Sequence, residues 1–167
     1  MYPKFKYFAE EDVDLFYEMC DTFHQLHLVQ SERNNHFTVN CHSICRALVM
    51  FYGTETLTLC DGYISEIVTH PGSGQKVHGM GIHSWLKTTA GSILDPYPVG
   101  MYSVFPVFVA NGGDDAELIK ARYIEDPSVV NDGEMFNAKN IYKQAQYQVS
   151  RLELVTGRTR SSSTWIT

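Results

Sequence analysis

A helical run that stops at a glycine and leads straight into strand-forming segments limits what this chain can fold into. Residues Cys41 to Tyr52 (CHSICRALVMFY) place Ile44, Ala47, Leu48 and Phe51 on one helical face. Asn40 or Thr38 can cap the start, and Gly53 stops the helix. Strand formers follow in Thr56 to Leu59, Tyr63 to Val68, Met80 to Thr88, Ser92 to Asp95, Tyr102 to Ala110 and Leu118 to Ile124. An earlier helix is expected from Ala9 to His27, with Val13, Phe16, Met19, Cys20, Phe23 and Leu26 at helical spacing. A late helix is expected over Glu134 to Ser150. Helices followed by sequential strands predict an α+β fold with an antiparallel sheet. The 167 residues suit a single domain, 1–155, with a mobile Ser/Thr/Arg-rich tail, 156–167.

Composition narrows the function classes. Apolar residues make up 44% and charged residues 19%, the opposite of a disordered chain. The net charge of −6 argues against a nucleic-acid binder, which needs clustered Lys and Arg. The start, MYPKFKYFAEED, lacks the apolar stretch of a signal peptide, and the longest apolar run, Val104 to Ala110, is far too short to cross a membrane. A soluble, cytoplasmic protein with reduced thiols is expected, without membrane or nucleic-acid partners. The sequence leaves its oligomeric state open.

Four cysteines and seven histidines are the reactive inventory. Metal binding finds little support. No Cys-x-x-Cys occurs, and neither His24-x-x-His27 nor Cys41-x-x-x-Cys45 has a partner pair at zinc-finger spacing. No metal and no cofactor are expected.

Cys41 opens the predicted helix, where free backbone N–H groups and the helix dipole lower a thiol pKa and can hold an oxyanion. His83 lies in the strand GIHSWL, and Asp95 ends the next strand, SILDPYP. If the numbers of cross-strand partners add to an even number, both side chains face the same side and can hydrogen-bond. Pro96 biases Asp95 to an extended backbone. A nucleophile, a base and an orienting carboxylate would then be assembled. Cys45, one turn later, reads as core packing, and His42 is expected to point away, because adjacent helical side chains diverge.

The order Cys, His, Asp, with "NCHSICRAL", "GIHSWL" and "SILDPYP", resembles the transglutaminase-like branch of the papain-like superfamily. The leader peptidases of lasso-peptide maturation are especially similar in the Cys-helix and His-Trp segments. The resemblance covers roughly Asn35 to Gly100. It implies a nucleophile helix packed on an antiparallel sheet, with Cys41 as nucleophile, His83 as base then acid, and Asp95 as orienter. It implies that Trp85 shields the pair or packs beneath it. It places Asn35 at the position of an oxyanion donor, with Asn40 and the Cys41 amide as competitors. The implied reaction is hydrolysis of a peptide or other amide bond. An amine acyltransferase and an inactive papain-like binding module are the alternatives. The Gly-rich segment 71–79 would then lie over the site as a lid.

Overall fold

The computed structural model describes residues 14–19, 21, 40–69, 72–74, 76–97, 107–112, 116–133 and 136–161. The chain is α+β, with helices packed on a five-stranded antiparallel sheet. Residues 14–19 and 21 are helical (α1), and Phe16 and Met19 are buried there. The rest of the expected first helix lies outside the described residues. Helix α2 is Cys41–Tyr52, with the bounds its periodicity predicts. Strands β1 (Leu57–Thr69) and β2 (Lys76–Thr88) form a long hairpin. Then come β3 (Ile93–Asp95), β4 (Val107–Val109), α3 (Ala116–Lys120), β5 (Tyr123–Glu125), a 3-10 turn (Pro127–Asn131) and α4 (Ala138–Thr156). The strand order is β4-β3-β2-β1-β5. Among the described residues no helix is long and apolar enough to cross a membrane.

Strand alternation sorts side chains onto two faces. On one face, Leu57, Leu86, Leu94 and Phe108 pack with Ile44, Ala47, Leu48 and Phe51 of α2 and Ala145, Val149 and Leu152 of α4. On the other, Cys60, Ile64, Trp85, Ile93, Val109 and Tyr123 pack with Ala116 of α3. Burying a Leu or Phe fully is worth about 1.5–3 kcal/mol, so these two clusters hold the sheet flanked.

Three sequence expectations change. The two strands read at Thr56–Leu59 and Tyr63–Val68 are one, because the ladder runs unbroken from Leu57↔Thr88 to Thr69↔Lys76. The same ladder makes residues 76–79 strand rather than lid. The tight stretch of the turn falls near Gly72 and Gly74, whose positive φ angles (115° and 69°) suit glycine. The strand expected at Leu118–Ile124 is a short helix followed by β5, with Glu117 in its first turn and Lys120 in its last.

The last helix starts at an Asn137 cap and runs to Thr156, ended by Gly157 in the left-handed region. Beyond it, residues 157–161 of the expected tail fold back on α4 and α2. Arg160 pairs with Glu153, Arg158 lies over the Phe51 ring, and the Ser161 N–H donates to the Phe51 carbonyl at 3.0 Å.

Gly62 lies opposite His83 on one side and Glu125 on the other. A Cβ there would sit 2.0 Å from the Ile124 carbonyl oxygen, so only glycine lets β5 close on β1. Gly62→Ala should therefore destabilise the protein by about 1–3 kcal/mol, the range for overpacking. Urea unfolding checks this, and an unchanged midpoint would count against the close approach of β5.

Candidate active site

Cys41 is the first residue of α2. Asn40 precedes it in an extended conformation (φ −136°, ψ 164°) and caps the helix in a capping box with Ser43. The Ser43 N–H donates to Asn40 Oδ1 at 2.8 Å, and Asn40 N donates to Ser43 Oγ at 3.5 Å. The Ile44 N–H begins the helical ladder at the Asn40 carbonyl, 3.1 Å away. The N–H groups of Cys41 and His42 precede that ladder. Asn40 Nδ2 donates to Gln144 Oε1 at 2.8 Å, which ties the cap to α4. Asn40 thus caps helix α2, and one of its two amide N–H groups is spent on Gln144. Asn35 lies outside the described residues.

His83 and Asp95 come together as the parity of their strands predicts. The β2–β3 register pairs Leu86 with Leu94, so Asp95 falls across from Trp85 and His83 is its diagonal neighbour. His83 Nε2 and Asp95 Oδ2 are 2.7 Å apart, both residues being 1% exposed. The Tyr123 hydroxyl donates to the same oxygen at 2.9 Å, and the Tyr97 N–H donates to Asp95 Oδ1 at 3.3 Å. A buried carboxylate is costly unless hydrogen-bonded, and here three donors converge on it. Trp85 is fully buried. It stacks on His83 at 6.2 Å between ring centroids (18° between planes) and meets Tyr123 edge-on at 5.2 Å.

Helix α2 reaches this pair along the flank of β2 that faces away from β1. The Asp61 carbonyl accepts from Asp126 N at 3.0 Å, so it points to β5. Ser84, opposite Asp61, therefore turns its own carbonyl away from β1. There it accepts from Cys45 Sγ at 3.3 Å. One turn earlier on the same helix stands Cys41.

Only one described thiol is activated. Burial opposes ionisation of the half-buried Cys41. Hydrogen bonds from His42 and His83, and their charges, outweigh it and lower the pKa from 9.0 to about 6. Burial, then the charges of Asp95 and Cys41, push Cys45 well up. Burial and then Glu125 raise Cys60 to about 12. Burial opposes the charge on His83, but the Asp95 hydrogen bond and then Cys41 raise its pKa from 6.5 to about 10. Since Asp95 takes Nε2, the nitrogen left for the thiol is Nδ1. Both shifts favour the thiolate and the imidazolium.

Two features escaped the sequence reading. Tyr123 joins the site only because β5 pairs with β1, Ile64 lying opposite Tyr123. His42, expected to point away, reaches the thiol as well.

Compared with protein-family models, with curated proteins and with solved structures, the chain finds no match. Its class is therefore the one its own coordinates define. It is an α+β protein whose capped helix brings an acidic cysteine to a buried histidine–aspartate pair on an antiparallel sheet.

Proposed function

We propose that this chain is a thiol-dependent acyl-transfer enzyme of the papain-like, transglutaminase-like type, which hydrolyses a peptide or other amide bond. The observation that carries the reading is the Nε2–Oδ2 contact of 2.7 Å between His83 and Asp95 beside the one described thiol whose pKa is lowered. Nothing in packing alone requires a charged pair there, and buried charges are costly unless they are used or well compensated.

The Cys41 thiolate attacks the substrate carbonyl carbon, forming an S–C bond. The oxyanion is held by the Cys41 and His42 N–H groups at the helix start. His83 gives its Nδ1 proton to the leaving amine, the C–N bond breaks, and a thioester remains. Water then attacks the thioester as His83 takes its proton. The C–S bond breaks, and the thiolate–imidazolium pair is restored. Asp95 fixes the ring and supports its charge throughout. Water is always present as acceptor, which favours hydrolysis over transfer to an amine.

The test is iodoacetamide alkylation across pH, read by peptide mass mapping. Cys41 should label with a midpoint near pH 6, while Cys45 and Cys60 stay unlabelled at neutral pH. His83→Ala should move the Cys41 midpoint upward. The midpoint decides rather than the rate at one pH, because a thiolate of lower pKa is also less nucleophilic. Activity should follow a bell. Below about 6 the thiolate protonates, and above about 10 the imidazolium loses the proton needed by the leaving group. Equal, slow labelling of all four cysteines would remove the basis for calling this an enzyme.

A further inference from the structure

We propose that Cys41 is served by a second, separately oriented histidine arm, Cys41–His42–Ser84–Asp61, on the opposite face of β2 from Cys41–His83–Asp95. This rests on the reading of Cys41 as the nucleophile and adds a second proton acceptor to it. His83 and Ser84 are consecutive in β2, so their side chains project to opposite faces. His42 Nδ1 lies 2.7 Å from Ser84 Oγ. Ser84 Oγ in turn donates to Asp61 Oδ1 at 2.5 Å. Arg46 Nη2 donates to Asp61 Oδ2 at 2.8 Å, and Arg46 Nη1 reaches the His42 carbonyl at 3.1 Å and Ser84 Oγ at 3.5 Å. Phe136 closes the arm. His42 meets its ring edge-on at 5.0 Å, and the Arg46 guanidinium lies 4.9 Å from its centroid.

Counting protons fixes the tautomer. A serine hydroxyl has one hydrogen. Here Asp61 takes it, so toward His42 Ser84 acts as acceptor and His42 Nδ1 carries the hydrogen. The lone pair is then on Nε2, and with Nδ1 taken by Ser84 this is the nitrogen left for the hydrogen bond between His42 and Cys41. In the proposed step the Cys41 S–H bond breaks and an Nε2–H bond forms on His42. The imidazolium keeps its Nδ1 hydrogen on Ser84, and Ser84 keeps its own on Asp61. Among the described residues, the charged and titratable groups around the ring are Cys41 and Arg46 from α2 and Asp61 from β1. Ser84 of β2 and Phe136 complete the surroundings. The Asp61 and Arg46 charges offset each other, so the arm orients the ring without a net charge, unlike the His83–Asp95 arm. The thiol proton thus has two places to go, one supported by a bare carboxylate and one by a neutralised one.

The experiment is the midpoint of Cys41 alkylation by iodoacetamide in four proteins: wild type, His42→Phe, His83→Ala, and the double variant. With both arms working, His83→Ala keeps a midpoint at least one unit below the double variant, or about tenfold more thiolate on the acid limb. In the double variant nothing offsets burial, so Cys41 titrates above an ordinary cysteine. Ser84→Ala in the His83→Ala background should act like His42→Phe, and it serves where the double variant does not fold. If His83→Ala alone already matches the double variant, the second arm is overturned while the functional reading stands. An ordinary midpoint in the wild type overturns the functional reading itself.

Discussion

Asp95→Asn should lower kcat/KM for a peptide p-nitroanilide by about 10²–10⁴-fold, the usual worth of a positioned acid–base group. The substitution nearly preserves shape, so the loss is one of charge and of acceptors. Asp95 accepts from His83 and Tyr123 at one oxygen and from the Tyr97 N–H at the other. An asparagine has one acceptor oxygen and one amino group, so one of those donors must face another donor. The His83 hydrogen bond to Asp95 is the first cause that raises the His83 pKa. Without the charge, His83 titrates lower, and a His83 that is neutral at pH 7 supports the thiolate less. The upper limit of the bell should move down from about 10 and the lower limit up from about 6. The check is a pH–rate profile with a peptide p-nitroanilide, whose leaving amine needs the His83 proton, together with the alkylation midpoint of Cys41. A profile whose upper limit stays near 10 would mean that Asp95 does not hold the proton on His83.

How much of this was legible before folding differs by residue. Cys41 at a helix start could be read, because Asn40 and Gly53 mark both ends of the helix and its apolar face has a clear period. The meeting of His83 with Asp95 could be read as well, since the link between their strands is short and side-chain parity is a property of any β ladder. Tyr123 could not. Its place depends on β5 pairing with β1, and segments far apart in sequence carry no mark of whom they pair with. The α3 segment misled because a short run of mixed residues fits either period. Lys76 to Gly79 read as loop from its polar and glycine residues, but a hairpin ladder imposes extended backbone on whatever lies opposite its partner strand. Arg46 and Asp61 were each unremarkable in sequence. Their 2.8 Å contact, with both side chains 11% exposed, appears only when α2 lies across β1 and β2.

Trp85→Ala is expected to cost about 3–5 kcal/mol of stability, the range for emptying a large aromatic site in a core. Trp85 is fully buried between His83 and Tyr123, so nothing adjacent is free to fill the space. Urea unfolding measures the loss, and a value under 1 kcal/mol would show that the site collapses or is less packed than described. Trp85→Phe separates packing from chemistry. Among the described residues the Trp85 indole N–H is buried without a hydrogen-bond partner. An unsatisfied buried donor costs about 1–3 kcal/mol, so phenylalanine gives up volume but removes that burden. Its net effect on stability should be far smaller than that of alanine. The two variants should differ in the same way in the pH profile. With alanine, water reaches the His83–Asp95 pair and screens it, so the upper limit falls below about 10. With phenylalanine the pair stays dry and the limit holds. If both variants kept the wild-type limit, Trp85 would be a core residue that happens to neighbour the site, and the dryness of the pair would have to come from Tyr123 and the strand backbones around it.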